Sequence, residues 1–240
     1  ADYRRTLPMA ALRHAASDTL SLYGAVGRGF ETPTFNELSY RSDGLSGLNF
    51  GLRPSVNTSA EVGAKQRLAG GLLTAALFST QTDDEIVTAT NSGGRSTFRN
   101  AGRTRREGVE LGWSARLAGH WQVQAAYTWI DAPYRDGFCG TGACVPAGNR
   151  IPGIARQVAQ AELGWAPPQG WRAGAELRHA SRVAVDDGNT QFAPRYTTLA
   201  LHAGYLLRPS PRWELAAFAR VDNVTDRRYA GSVIVNEGNQ

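Results

Sequence analysis

The sequence predicts an all-β fold in which antiparallel strands form part of a transmembrane β-barrel. Apolar and polar residues alternate along many segments, as expected for strands with one face in lipid and the other in water. These segments are about ten residues long, which suits a tilted strand that crosses a bilayer and exceeds the usual strand of a soluble sheet. The connections between them are short and long in turn, which is typical of periplasmic turns and extracellular loops.

The predicted strands differ in how regularly they alternate. The segment from Trp121 to Asp131 is the most regular, because its odd-numbered apolar residues share one face and place tryptophan near both ends. Four other segments, 109–117, 171–178, 199–207 and 213–221, repeat the pattern with Ala, Leu, Val and Trp on one face. In chain order, the predicted strands are 8–15, 19–30, 59–68, 71–88, 109–117, 121–131, 155–166, 171–178, 199–207 and 213–221.

The connections between these strands sort by length. A soluble β-sandwich or β-propeller, which would also show alternating strands, has no reason to sort its loops in this way. The loop pattern therefore favours a membrane barrel. Short turns are predicted near 16–18, 69–70, 118–120, 167–170 and 208–212, and longer connections at 31–58, 89–95, 132–154, 185–195 and from 223 onward.

Composition excludes a helical membrane protein and gives little reason to expect a nucleic-acid partner. The chain has 240 residues and a mean hydropathy of −0.35, and no apolar run approaches the roughly 18 residues of a spanning helix. The formal net charge is +5, but the arginines are scattered along alternating segments rather than gathered in one patch. We therefore expect no nucleic-acid binding.

No residue pattern points to catalysis, a metal centre or a bound cofactor. The four histidines are scattered without metal-ligand spacing, and no nucleophile elbow or phosphate-binding loop is present. Asp83, Asp84 and Glu85 form a carboxylate cluster that could serve acid/base chemistry in a ten-stranded outer-membrane enzyme, although a solvated strand end is the simpler explanation. We expect no catalytic residue, no metal site and no cofactor.

Cys139 and Cys144 lie close together in a glycine-rich segment. A thiol pair can bind a metal, but no second Cys or His pair accompanies this one. A small disulfide at a loop tip fits an oxidising compartment, so we predict a bond between Cys139 and Cys144.

Seven stretches, spread over nearly the whole chain, resemble motifs of the TonB-dependent outer-membrane receptors in the correct order. The three longest are GRGFETPTFNEL (27–38), LRPSVNTSAEVGAK (52–65) and FRNAGRTRREGVEL (98–111). Thr32 and Ser55 depart from the family pattern, whereas Glu61 and Gly63 match it. The other four stretches are ALFSTQTDDEIV (76–87), YTWIDA (127–132), GNRIPG (148–153) and VDNVTDRRY (221–229).

This resemblance implies a larger barrel of about 22 strands, closed around an N-terminal plug domain. Residues 1–240 would be a C-terminal portion of that barrel, with the plug and the final strand outside it. The plug would connect the receptor to the TonB complex, and the barrel would contact lipid and lipopolysaccharide in the bacterial outer membrane. Charged polar-face residues would line the lumen and could bind the plug, or could simply face water: Glu61, Lys65, Arg67, Glu110, Arg116, Arg172, Glu176, Arg178, Glu214 and Arg220.

The function implied by the resemblance is active import of a scarce nutrient, with a ferric siderophore as the default cargo. Two stretches (27–38 and 98–108) are also similar to a subgroup associated with pyrroloquinoline quinone, a planar tricarboxylate. A passive porin and a ten-stranded outer-membrane enzyme stay open as other classes.

Contacts to a small-molecule metal chelate or cofactor are expected in the long loops. Arginine captures carboxylates in a bidentate manner, and aromatic rings offer stacking area to planar ligands. The same arginines could instead bind lipopolysaccharide phosphates. The predicted ligand contacts are Phe35, Asn36, Glu37, Tyr40, Arg41, Arg95, Arg99, Tyr134 and Arg150.

Overall fold

The computed structural model describes residues 3–41, 43–139 and 144–237. Nearly all of its regular structure is β-sheet, apart from a four-residue helix α1 (Phe35–Leu38) and a short 3₁₀ turn (Ala118–His120). The strands are β1 (Met9–Ala15), β2 (Leu20–Glu31), β3 (Ser55–Leu68), β4 (Gly71–Asp83), β5 (Ile86–Ser92), β6 (Arg95–Asn100), β7 (Thr104–Arg116), β8 (Trp121–Asp131), β9 (Phe138–Cys139), β10 (Cys144–Val145), β11 (Gln157–Trp165), β12 (Gly170–Ala180), β13 (Val183–Ala184), β14 (Phe192–Ala193), β15 (Tyr196–Ser210) and β16 (Trp213–Val221).

One antiparallel sheet of ten strands forms the body of the molecule. Its order is β1-β2-β3-β4-β7-β8-β11-β12-β15-β16. Each strand of this sheet therefore pairs with the strand of the same sheet that follows it along the chain. The remaining strands form three separate two-stranded hairpins, which lie within the long connections. The predicted all-β antiparallel fold with about ten long strands is therefore confirmed.

Register across the sheet separates an apolar face from a polar face. Directly paired residues share a face, and Trp113 pairs with Ala125, which pairs in turn with Ala161 and then Leu177. The neighbouring row on the other face runs Ser114, Gln124, Glu162 and Glu176. Large apolar side chains are widely exposed on the first face, as a lipid-facing surface requires. Phe218 is an exception, because its pairing with Gly204 puts it on the polar face.

The connections follow the predicted order of short and long. The sheet strands are joined alternately by short turns (16–19, 69–70, 117–120, 166–169 and 211–212) and by long connections (32–54, 84–103, 132–156 and 181–195). The β3–β4 turn consists of only two residues, the commonest length for a β-hairpin loop, and Gly70 in it has a φ of 75°. A side chain there would also sit 2.3 Å from the Arg116 carbonyl oxygen, so only glycine fits. By the usual asymmetry of outer-membrane barrels, the short turns mark the periplasmic end.

The prediction of one strand over 71–88 was wrong. β4 ends at Asp83, because Asp84 takes a left-handed φ of 56° that breaks the pairing ladder. The Glu85 amide then donates to the Gly102 carbonyl, and the chain enters the separate β5–β6 hairpin. Residues 79–85 are polar without interruption, so alternation does not continue from β4 into β5 and the predicted strand overran this break.

Among the described residues, no helix is long enough and apolar enough to span a membrane.

Ala125 and Ala126 give a direct test of the two faces. In the full-length receptor, Ala125→Arg should weaken folding into a bilayer by about 2–4 kcal/mol, because it places a charge in the hydrocarbon. Ala126→Arg points to the polar face beside Gly112 and Gln160 and should stay within about 0.5 kcal/mol of the unchanged protein. Denaturant titration in lipid vesicles measures both, and equal losses would contradict the assignment of faces.

Candidate functional site

The long connections pack together at one end of the sheet. Ala101, from the 84–103 connection, is buried in a common apolar cluster with four residues of the 132–156 connection. Val87, Ile130, Phe138 and Ile154 pack against the cluster from its edge. The buried members are Ala101, Ala132, Tyr134, Val145 and Ile151. These two connections therefore share a small core of their own. We use the name loop layer for the four long connections (32–54, 84–103, 132–156 and 181–195) together with the segment after β16.

A buried carboxylate, Asp187, connects four segments of the loop layer. The Tyr134 hydroxyl donates to Asp187 Oδ1 at 2.7 Å, and Arg99 Nη2 donates to Oδ2 at 2.9 Å. Asn236 Nδ2 donates to the same Oδ2 at 3.1 Å, and Asn149 Nδ2 reaches the Asp187 carbonyl at 2.9 Å. Asp187 is 5% exposed, so these bonds replace the water that the carboxylate has lost. They tie the β5–β6 hairpin, the 132–156 and 181–195 connections and the segment after β16.

Tyr134 and Arg99 are thus placed by structural contacts within the protein. Burial, together with the charge of Asp187, raises the pKa of the Tyr134 hydroxyl, which therefore stays a hydrogen-bond donor at neutral pH. The Arg99 guanidinium also lies 4.5 Å from the centre of the Phe138 ring, and that ring meets Tyr134 edge-on. Within the described chain, the Arg99 Nε–H is buried without a hydrogen-bond partner.

The first long connection carries α1 and with it three predicted ligand residues, Phe35, Asn36 and Glu37. Glu37 forms a capping box with Thr34: its carboxylate accepts from the Thr34 amide at 2.6 Å, and its own amide donates to the Thr34 hydroxyl. This contact orders the short helix and leaves the Phe35 side chain 82% exposed. The arrangement presents an aromatic ring to solvent at the tip of the connection.

Tyr40, Arg41 and Arg95 lie next to this helix. The Arg95 guanidinium is 5.2 Å from the centre of the Tyr40 ring, so this predicted pair is brought together. Arg41 instead forms an ion pair with Asp43. The hydrogen bond from Arg41 lowers the pKa of the Asp43 carboxyl to about 2.

Arg150 stands in a locally basic environment. Its amide donates to Asn189 Oδ1 at 2.7 Å, and its carbonyl accepts from Asn189 Nδ2 at 2.9 Å, so its backbone is fixed. Burial first, and then the charges of Arg156 and Arg182, lower the pKa of the Arg150 guanidinium. A carboxylate or phosphate beside these arginines would be favoured electrostatically.

The nine predicted ligand residues therefore fall into three places. Arg99 and Tyr134 are in the Asp187 network, and Arg150 lies near Arg156 and Arg182. The other six form α1 or lie beside it: Phe35, Asn36, Glu37, Tyr40, Arg41 and Arg95. Their contact with a ligand stays a prediction.

The carboxylate cluster at 83–85 is divided among different partners. Arg53 Nη2 lies 2.6 Å from Asp84 Oδ1, and Arg106 Nη2 lies 2.8 Å from Glu85 Oε1. The Thr104 hydroxyl also donates to Glu85 at 2.9 Å. Two of the three carboxylates thus neutralise arginines, which leaves no support for a catalytic carboxylate pair at this position.

Cys139 and Cys144 form a disulfide in the structure. It joins the paired strands β9 and β10 of the small hairpin in the 132–156 connection. The tip between the two cysteines, residues 140–143, lies outside the described residues.

A sheet with one lipid-facing side, one polar side and loops sorted by length defines an outer-membrane β-barrel. Residues 1–224 match the family model described as "TonB dependent receptor-like, beta-barrel". The chain therefore belongs to the TonB-dependent receptor family. The predicted family and the predicted location in the bacterial outer membrane are confirmed.

Two curated relatives and one solved structure illustrate the similarity. A probable TonB-dependent siderophore receptor PiuA of Acinetobacter baumannii is 26% identical over 163 residues, which are 65% of this chain and 21% of that protein. The ferrioxamine B receptor of Salmonella typhimurium is 28% identical over 187 residues, 75% of this chain and 26% of that protein. The crystal structure of the siderophore receptor PiuA from Acinetobacter baumannii superposes with a TM-score of 0.73 at 22% identity, covering 95% of this chain and 33% of that one. The chain thus spans about a quarter of the length of these curated relatives.

Sequence reasoning missed Asp187 and its asparagine partners. The run Asp186-Asp187-Gly188-Asn189 signals a turn, and Asn189 does adopt a left-handed φ of 56°. That signal cannot show which carboxylate turns inward, because its partners lie 38 to 88 residues away along the chain.

Asp187→Ala should loosen the whole loop layer. It leaves Arg99 largely buried without its carboxylate, and we expect a loss of about 3 kcal/mol of local stability. In the full-length receptor, amide hydrogen exchange should accelerate in 86–100 and 144–156 as well as in 181–195. Asp186→Ala is the control, since the bonds that Asp186 forms in the described part of the chain go to residues of its own turn, such as Thr190. Identical exchange patterns for the two variants would count against the connecting role of Asp187.

Acid should weaken the base of the β5–β6 hairpin. Burial by itself raises the pKa of the Glu85 carboxyl, but the hydrogen bonds from Arg106 and Thr104 and the Arg106 charge outweigh it, and the pKa is lowered. A carboxyl with a lowered folded-state pKa stabilises the fold above its unfolded pKa and loses this contribution as pH falls through the folded value. Limited proteolysis of the hairpin should therefore speed up below the ordinary glutamate pKa. Glu85→Gln should remove most of that pH dependence, and an unchanged profile would refute the role of Glu85.

Proposed function

We propose that the protein containing this chain is an outer-membrane receptor that imports a ferric siderophore with energy from the TonB complex. The observation that carries the proposal is the similarity to two relatives whose names are a probable TonB-dependent siderophore receptor and a ferrioxamine B receptor. These alignments cover 65% and 75% of the chain, so they include most of the strands and several long connections.

The geometry of the loop layer is consistent with capture of a ligand from outside the cell. Asp187 holds several connections in fixed relation, so a ligand would meet a pre-formed surface. Phe35 and the Tyr40–Arg95 pair offer stacking area and positive charge at one part of this surface. Arg150 offers an anion contact at another. We propose these groups, with the remaining predicted residues, as the candidate cargo contacts.

We further propose how the chain relates to the whole receptor. The chain would supply a C-terminal portion of a larger barrel, with a plug domain and a final strand contributed by other parts of the polypeptide. The plug would carry the contact to TonB. The apolar face would lie in outer-membrane lipid, and lipopolysaccharide phosphates would be partners of exposed loop arginines.

Pyrroloquinoline quinone is a second candidate cargo. Its three carboxylates would suit the basic surroundings of Arg150, and its planar rings would suit the Tyr40–Arg95 pair. The motif similarity in 27–38 and 98–108 favours the same subgroup.

A deletion strain tests the proposal. Loss of the gene should abolish growth on one ferric siderophore as the sole iron source, and the intact gene should restore growth only when TonB is present. Growth on ferric siderophores that is unaffected by deletion, with lost uptake of the quinone, would favour the second candidate. Uptake that continues without TonB would contradict active transport and indicate passive diffusion.

A further inference from the structure

The basic residues of the polar face differ in their partners from one end of the sheet to the other. Toward the long connections they are paired with carboxylates: Arg106 with Glu85, and both Arg178 and Arg220 with Glu176. Toward the short turns, Arg208 pairs with Glu214 beside the β15–β16 turn, but five other cations form no ion pair within the described ranges: Arg13, Lys65, Arg67, Arg116 and Arg172. The periplasmic end therefore carries positive charge that the described chain does not neutralise.

Three of these cations line a single cleft. Arg13 on β1 and Lys65 and Arg67 on β3 surround a space of about 620 Å³ beside the β1–β2 turn. This volume lies within the range of about 300–1,000 Å³ that is usual for sites of small molecules. Hydroxyl groups of Ser21 and Thr19 add further polar atoms to its wall.

Each cation is positioned by a neutral group and keeps free donors. Arg13 Nε donates to the Ser21 hydroxyl at 2.7 Å, and Arg67 Nη2 donates to the Asp18 carbonyl at 2.8 Å. The Lys65 ammonium lies 5.5 Å from the centre of the Tyr23 ring. A guanidinium has five N–H donors, so most of the donors in the cleft are left for a ligand.

Carboxylates near the cleft are too few to balance it. Among the lining residues, Asp18 is acidic and the three cations exceed it by two charges. Glu61 lies close by, but it accepts the Tyr23 hydroxyl at 2.5 Å across Gly63. Gly63 makes that contact possible, since a side chain there would overlap the Tyr23 ring at 2.5 Å. The glutamate is thus held by the tyrosine and forms no ion pair with Lys65.

We propose that this cleft binds a small ligand that carries several carboxylate or phosphate oxygens. Guanidinium groups suit such oxygens because they can form paired, charge-assisted hydrogen bonds with them. The proposal rests on the proposed function for the origin of the ligand, since an anionic chelate that leaves the barrel on the periplasmic side would meet the cleft. The cleft would then contact the cargo a second time, at the end of the barrel opposite the loop layer.

The test is calorimetric titration of the purified full-length receptor with citrate and, separately, with inorganic phosphate. Citrate represents a carboxylate ligand, and phosphate represents the alternative source of the same chemistry. The variant R13Q/K65Q/R67Q should bind the preferred anion at least about tenfold more weakly, because charge-assisted hydrogen bonds are lost. Binding to the unchanged receptor should weaken as salt is added.

The control variant R28Q/R135Q/R195Q removes the same charge away from the cleft and should keep the affinity of the unchanged receptor. A shift in gel mobility on heating shows that each variant has folded. Equal loss of affinity in the control would overturn the proposal, as would the absence of saturable binding in the unchanged receptor. If the unchanged receptor shows no saturable binding and the cleft variant unfolds at a lower temperature, an acidic segment of the receptor itself fills the cleft. A receptor that supports growth on a siderophore but binds neither anion would overturn this inference alone.

Discussion

The hydrocarbon core of a membrane contains no water to satisfy the backbone, and the rest of this structure depends on that constraint. Every N–H and C=O of a spanning strand must bond to another strand, at a cost of several kcal/mol for each group left unpaired. Sequential antiparallel pairing meets this requirement for every strand between the two edge strands β1 and β16, with the shortest connections at one end of the sheet. Successive side chains of each strand point to opposite faces of the sheet, so every second residue faces lipid and the residues between them face the polar interior.

Outside the membrane the constraint ends, and the loop layer is organised like a small soluble protein. It has its own apolar cluster around Tyr134 and Ile151 and a buried carboxylate whose partners come from distant segments. Hydrogen bonds among buried polar groups from distant segments fix one arrangement of the segments that supply them. The long connections can therefore present a defined surface even though no sheet strand runs through them.

Charge follows the same division between the two ends of the polar face. Near the loop layer, Glu85 pairs with Arg106, and Glu176 pairs with Arg178 of its own strand and with Arg220 of β16. Arg220 reaches Glu176 across β15, where Ala200 pairs with Glu176 and His202 pairs with Arg220. At the turn end Arg208 pairs with Glu214, but Arg13 and Arg67 are held by neutral groups, the Ser21 hydroxyl and the Asp18 carbonyl. The ion pairs near the loop layer stabilise the sheet itself, whereas the neutral contacts at the turn end leave N–H donors available to a ligand.

The sequence by itself determined the strand count, the two faces and the order of short and long connections. All three follow from rules that act over a few residues: alternation, turn chemistry and the length of a membrane crossing. It also located the residues of the loops that carry arginine and aromatic groups, including Arg95 and Arg150.

Only the tertiary structure decided how those loops are arranged. The left-handed turn at Asp84, which ends β4 and begins a separate hairpin, depends on backbone bonds between Glu85 and residues 101 and 102, which lie farther along the chain. Asp187 could not be singled out, since its role depends on Arg99, Tyr134 and Asn236, which are near it only in the folded chain. The cleft at Arg13 and Arg67 likewise exists because register brings β1 beside β2 and β3. Short-range periodicity fixes what each strand faces, whereas the partners of a buried or converging charge are set by contacts that are distant in sequence.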